Sequence, residues 1–163
     1  MKIFAVLLIT SFFIISAARA QTYEWLKPKL ATADTIVLAS HKDFGAMIDT
    51  AGNGVPIPNW VIDGHPNYRA LLKHRTLTPA QRIELSRILL RPFRDNKIVT
   101  MHCCQPHNIV FLVRKGHTSY LDICFGCRCL RSSKDLDKLY AFDDRKWSEL
   151  RELFDKLGLA YEF

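Results

Sequence analysis

Two apolar, β-rich runs, Asn108–Arg114 and His117–Cys124, flank the dipeptide Lys115-Gly116. Two residues that include a glycine between such runs are a hairpin signal, because the tight turn needs backbone with positive φ. All 5 cysteines lie at or beyond the outer ends of these runs: Cys103, Cys104, Cys124, Cys127 and Cys129. If Lys115-Gly116 is the turn, Arg114 pairs with His117. The ladder then carries His107 opposite Cys124, and Cys104 opposite Cys127 if pairing continues that far. Cross-strand partners sit about 4.5–5.5 Å apart at Cα. The hairpin therefore gathers both cysteine-rich segments at its open end. A three-residue turn would move each pair by one residue without dispersing the cluster.

Other elements follow from local signals. Residues 35–39 are β-branched and apolar and read as a short buried strand. Residues 50–58 have loop composition, and Asn67–His74 read as a helical turn or two. Thr78, Pro79 and Gln81 form a helix start with a capping box, Leu85, Ile88 and Leu89 make one apolar face, and Pro92 ends the helix. A last helix begins at a cap on Asp143 or Asp144. Its stripe is Trp147, Leu150, Phe154 and Leu157, and Gly158 stands where a left-handed C-terminal residue belongs. Both faces of the central hairpin carry apolar residues, so the sheet is expected to be covered on both sides by helices. The expected fold is α+β: a small antiparallel sheet with its hairpin at about 107–124 and helices at about 79–91 and 144–157.

The cysteine and histidine cluster admits three chemistries. Structural disulfides suit an exported chain, and the expected bridge joins Cys103 or Cys104 to Cys124 or Cys127. Thiol–disulfide exchange could run through Cys124-x-x-Cys127, with Arg128 and Arg131 nearby to favour a thiolate. Zinc could be held by Cys104-x2-His107 and Cys124-x2-Cys127, although no cofactor is required by the sequence. No residue is assigned a catalytic role. His41, His65 and His74 stand alone in sequence and read as surface or hydrogen-bonded core histidines.

Export is expected from the N-terminus. Lys2, the apolar run Ile3–Ile15 and Ala18-Arg19-Ala20 have the pattern of a secretory signal peptide, with Gln21 as the mature start. Residues 1–20 are then a signal and 21–163 a single domain, periplasmic or secreted, with no membrane span after cleavage. Charge is uneven. Residues 64–131 carry 12 basic and 3 acidic side chains, a net +9, while the flanking stretches 21–63 and 132–163 are each −2. Arg69, Lys73, Arg75, Arg82, Arg87, Arg91, Arg94 and Lys97 make up most of the excess. They read first as a solvated face, with weak, non-specific binding to anionic surfaces as the partner chemistry they allow.

Cys103-x-x-Pro106-His107-Asn108, the apolar strand after it, and Ile123-Cys124-Phe125-Gly126-Cys127 resemble an uncharacterised family of exported bacterial proteins. That family carries a Cys-x-x-Pro-x-(His/Asn) segment, a hairpin, an Ile-Cys-Phe-x-Cys motif and a final helix ending Leu-Phe-x-x-Leu-Gly. The last of these is matched by Leu153–Gly158. The resemblance spans Cys103 to Gly158 and not the N-terminal part. It implies that Cys103, Cys124 and Cys127 are the family's cysteines and that Cys104 and Cys129 are additions. It implies no substrate.

Overall fold

The computed structural model describes residues 22–42, 56–92, 104–140 and 142–159. The loop expected at 50–58 lies mostly outside them, as do the N-terminal 20 residues, Arg94, Lys97 and Cys103. The chain builds one sheet around strand β1 (Thr35–His41) and a second, two-stranded ribbon from β2 (Val61–Ile62) and β3 (His65–Pro66). The remaining strands are β4 (Leu71–Thr76), β5 (Asn108–Arg114), β6 (His117–Cys124) and β7 (Cys129–Ser132). The main sheet runs β4-β1-β5-β6-β7, and every pairing in it is antiparallel. With helices α1 (Lys27–Thr32), α2 (Pro79–Leu90) and α3 (Asp144–Lys156), the fold is α+β.

The β5–β6 register places Arg114 opposite His117 and Asn108 opposite Ile123, so the two-residue turn is real. Lys115 and Gly116 both have positive φ, at 49° and 74°, which gives the turn the twist a two-residue hairpin requires. The small ribbon turns through Asp63 and Gly64 in the same way, with φ of 50° and 77°. The two turns touch. A Cβ on Gly64 would lie 1.8 Å from the Gly116 carbonyl oxygen, so only glycine fits at this crossing. Thr118 Oγ1 donates to the Gly64 carbonyl at 2.5 Å and pins the contact.

The two faces of the sheet are covered differently. Ile36, Leu38, Val110, Leu112, Leu121 and Ile123 face the helices and pack with Leu30, Leu85, Ile88, Leu150 and Phe154. Val37, Ala39, Ile109 and Phe111 face the other way and meet Trp60, with Val61, Ala70 and Leu71 around it. Among the described residues helices cover only the first face, and the expectation of helices on both sides is corrected to that extent. The second face is capped by the 60–71 segment, because strand alternation leaves an apolar row there that one large indole and a short ribbon can cover.

Helix ends follow the local signals. Thr78 N–H donates to Gln81 Oε1 at 2.9 Å and Gln81 N–H returns to Thr78 Oγ1 at 3.4 Å, the reciprocal capping box. Asp143 caps α3 by accepting from Lys146 N–H at 2.8 Å. Gly158 has φ 68°, and Leu159 N–H donates back to the Phe154 carbonyl at 2.9 Å. The helical reading of 67–74 is corrected: a single 3₁₀ turn at Tyr68–Ala70 gives way to β4. This edge strand exposes Lys73, His74 and Arg75, and the Lys73 and Arg75 charges discourage pairing with another chain.

Candidate functional site

Alternation along the strands puts His41 of β1, His107 just before β5, and Tyr120, Asp122 and Cys124 of β6 on the face away from the helices. His41 N–H donates to the His107 carbonyl at 2.9 Å, which makes the two histidines cross-strand neighbours with ring centroids 6.4 Å apart. His107 N–H donates to the Ile123 carbonyl at 3.1 Å, one residue out of step with the β5–β6 ladder, so the chain bends as it leaves the sheet.

The centre of this face is a buried His–Asp pair. His41 Nε2 lies 2.8 Å from Asp122 Oδ1, and both side chains are 2% exposed. His41 Nδ1 lies 2.7 Å from the Lys42 carbonyl oxygen. A carbonyl only accepts, so Nδ1 carries a hydrogen, and the second ring nitrogen shares one proton with the Asp122 carboxyl. Neither nitrogen is left to take a proton from a substrate. The imidazole also packs against Trp60, with centroids 4.3 Å apart and the rings tilted by 45°. His41 is thus a hydrogen-bonded core histidine, and Asp122 and Trp60 are the partners that sequence reasoning missed. The available signal was a carboxylate inside an otherwise apolar strand, Tyr120-Leu121-Asp122-Ile123.

Beside this pair opens a cleft of about 410 Å³ between Ile57–Val61 and Tyr120, Asp122 and Arg131. That volume is at the lower end of the range for small-molecule sites. Its lining combines the buried Trp60 and Asp122 with the half-buried Tyr120 and the exposed Arg131 guanidinium. Arg131 is opposite Asp122 in the β6–β7 register, is exposed, and is steadied by a hydrogen bond to the Cys104 carbonyl at 2.6 Å. Burial raises the Tyr120 hydroxyl pKa, and the Asp122 charge raises it further, so Tyr120 stays protonated as a donor. A larger apolar groove between α1 and α2 lies on the helix side, lined by Leu30, Pro79, Ile83 and Leu90. It lacks a comparable set of converging polar groups, and its Arg82 is bonded to the Ala33 carbonyl.

At the end of the same face the cysteines converge. Cys104, Cys124, Cys127 and Cys129 pack as one cluster. Cys104 and Cys129 form a disulfide with Cα atoms 5.7 Å apart. A bridge was expected from Cys103 or Cys104 to Cys124 or Cys127. For Cys104 this is corrected: its partner is Cys129, because β7 folds back and brings that residue to the hairpin's open end. Cys103 lies outside the described residues. Cys124 keeps a thiol, buried, and its Sγ accepts Cys127 N–H at 3.1 Å. The turn between them is closed by Arg128 at φ 52°, whose guanidinium pairs with Asp144.

The four proposed zinc ligands are Cys104, His107, Cys124 and Cys127. Among the described residues no group of three or more potential ligands is close enough to hold a metal. A Cys104–Cys129 bridge and a Cys104 thiolate ligand also exclude one another. Of the basic residues, Arg91 is half-buried and pairs with Glu149 at 2.6 Å and Asp143 at 3.4 Å, whereas Arg69, Lys73 and Arg75 remain a surface strip. No described helix is long and apolar enough to cross a membrane. No protein-family model, curated protein or solved structure matches the chain.

Proposed function

We propose that the chain is an exported binding domain that takes a compact ligand with a flat face and an anionic group. The observation that carries this reading is the cleft that Trp60, Tyr120 and Arg131 line together. Planar recognition of an anionic group is what a guanidinium does well, and aromatic walls supply contact area with little loss of conformational freedom. The engaged nitrogens of His41 favour binding over acid–base chemistry, and the disulfide acts as the clamp that holds the cleft wall. Benzoate, with benzylamine as its charge-reversed control, tests the reading. A nitrogen–proton NMR titration of the mature protein should show saturable shifts at the Trp60 indole and Arg131 for benzoate alone. Arg131→Ala should weaken binding about tenfold, as loss of a charged hydrogen bond does. Equal shifts with both probes would refute it.

Export rests on the Ile3–Ile15 run and Ala18-Arg19-Ala20. N-terminal sequencing of the exported protein should begin at Gln21, and retention of Met1 would refute it.

A second reading, thiol–disulfide exchange, is favoured by one observation: Cys124 holds a thiol within the cluster that contains the formed bridge.

A further inference from the structure

We infer that Cys129 has two alternative disulfide partners and that the Cys104–Cys129 bridge exchanges with a Cys124–Cys129 bridge inside the folded protein. This deepens the thiol-exchange reading of the cysteine cluster and does not depend on the cleft as a ligand site.

Three observations carry it. Cys124 and Cys129 are direct cross-strand partners in the β6–β7 ladder. Such partners lie about 4.5–5.5 Å apart at Cα, inside the span of about 4.4–6.8 Å that a disulfide bridges. Cys129 therefore satisfies the distance requirement with Cys124 as well as with Cys104, at 5.7 Å. Second, Cys104, Cys124 and Cys129 pack in one cluster, so the thiol and the bridge are neighbours without any movement of the sheet. Third, the Cys127 N–H donates to Cys124 Sγ at 3.1 Å, a hydrogen bond that fixes that sulfur in place within the cluster.

The step balances within the molecule. The Cys124 thiolate attacks Cys129 Sγ, a Cys124–Cys129 bond forms, and the Cys104–Cys129 bond breaks. The electron pair leaves on Cys104 Sγ, which takes up the proton that Cys124 gave to solvent. One disulfide and one thiol are present before and after, so no oxidant or reductant enters. The exchange has a chemical consequence at the surface. Cys124 is buried, whereas Cys104 is only half-buried. Exchange thus trades a hidden thiol for one that an alkylating agent or a disulfide-bearing molecule can reach.

The test is thiol trapping on the folded mature protein without reductant, followed by peptide mapping. Iodoacetamide should label Cys104 progressively, and each labelled molecule should carry a Cys124–Cys129 bridge. In Cys124→Ser, Cys104 should stay unlabelled over the same time. In Cys104→Ser, checked for folding by circular dichroism and incubated with oxidised glutathione as the oxidant, mapping should find Cys124 bridged to Cys129. Absence of Cys104 labelling in the wild type would overturn both the proposal and the exchange reading. Labelling that persists in Cys124→Ser, or that leaves Cys129 bridged to Cys127, would overturn this pairing while leaving exchange in the cluster. Cys104→Ser protein that folds with Cys124 and Cys129 both open to alkylation would overturn it independently.

Discussion

Removing the Cys104–Cys129 bridge in two different ways separates a clamp from an exchangeable clamp. The bridge closes a loop with a sequence separation of 25. The chain-entropy relation then gives about 3.5 kcal/mol of stabilisation at 25 °C through the unfolded state. The variant Cys104→Ala/Cys129→Ala loses all of it. Cys104→Ala alone leaves Cys129 free to pair with Cys124, its ladder partner. That bridge would span only five residues, and the same relation assigns it about 2 kcal/mol. The single variant should therefore lose about 1.5 kcal/mol and the double about 3.5 kcal/mol. Truncating one packed sulfur in the single variant and two in the double adds a smaller loss to each. Urea unfolding at neutral pH without reductant, followed by tryptophan fluorescence, reads both values. A repeat in excess dithiothreitol should bring wild type, single and double variants to nearly the same midpoint. Equal losses in the two variants without reductant would refute the alternative pairing. A loss below about 1 kcal/mol in the double would refute the clamp itself, since a disulfide typically contributes about 2–4 kcal/mol.

Asp122→Ala should cost about 3–5 kcal/mol in urea unfolding, because it strands His41 in a buried site, and a cost under about 1 kcal/mol would show that the pair is not held as described. Lys146 is fully buried, and burial chiefly lowers its pKa to about 8, with Arg91 adding to the fall and Asp143 opposing it. The unfolded chain then holds a proton that the folded chain lacks between pH 8 and about 10.5. Lys146→Met should therefore be more stable than wild type at pH 7 by no more than about 3 kcal/mol, and the gap should close as pH rises through that window. A gap that stayed constant to pH 10.5 would refute the assignment. Arg69, Lys73 and Arg75 should support only weak binding of DNA that disappears as salt rises, and a tight sequence-selective complex at physiological salt would refute that.

What was legible in the sequence was local. The β5–β6 register could be read because Lys115-Gly116 fixes it, and α2 and α3 because Thr78-x-x-Gln81 and the Trp147–Leu157 stripe carry their own signals. β4 was not legible: Leu71-Leu72-Lys73-His74-Arg75-Thr76 has neither period, and its strand form comes from hydrogen bonds to the open edge of β1. The Asp63-Gly64 turn had a clear chemical signal, but its arms are only two residues long, too short for alternation to show. The candidate site was the least visible part. His41 and Asp122 are 81 residues apart and lie on strands separated by β5, so their contact exists only once the strand order is set. Cys129 failed for a related reason. Extrapolating the β5–β6 ladder matches Cys104 with Cys127, whereas the β6–β7 turn sets Cys129 opposite Cys124 and leaves it within reach of Cys104.

The clamp and the cleft share one ladder, and that has a thermodynamic consequence. Asp122 opposite Arg131 forms part of the cleft wall, and two residues along the same strands Cys124 stands opposite Cys129. Arg131 is held by the carbonyl of Cys104, the residue that exchange would release. A molecule seated against Arg131 would then bind more tightly to the Cys104–Cys129 form, in which the guanidinium is anchored, than to the exchanged form. By linkage it must shift the exchange equilibrium by the same factor. Benzoate at saturating concentration should accordingly slow the trapping of Cys104 by iodoacetamide in the wild type. It should do nothing of the kind in Arg131→Ala, where the anchored group is gone. Slowing of equal size in both proteins would mean that the cleft and the cluster, though neighbours on one ladder, are not coupled through Arg131.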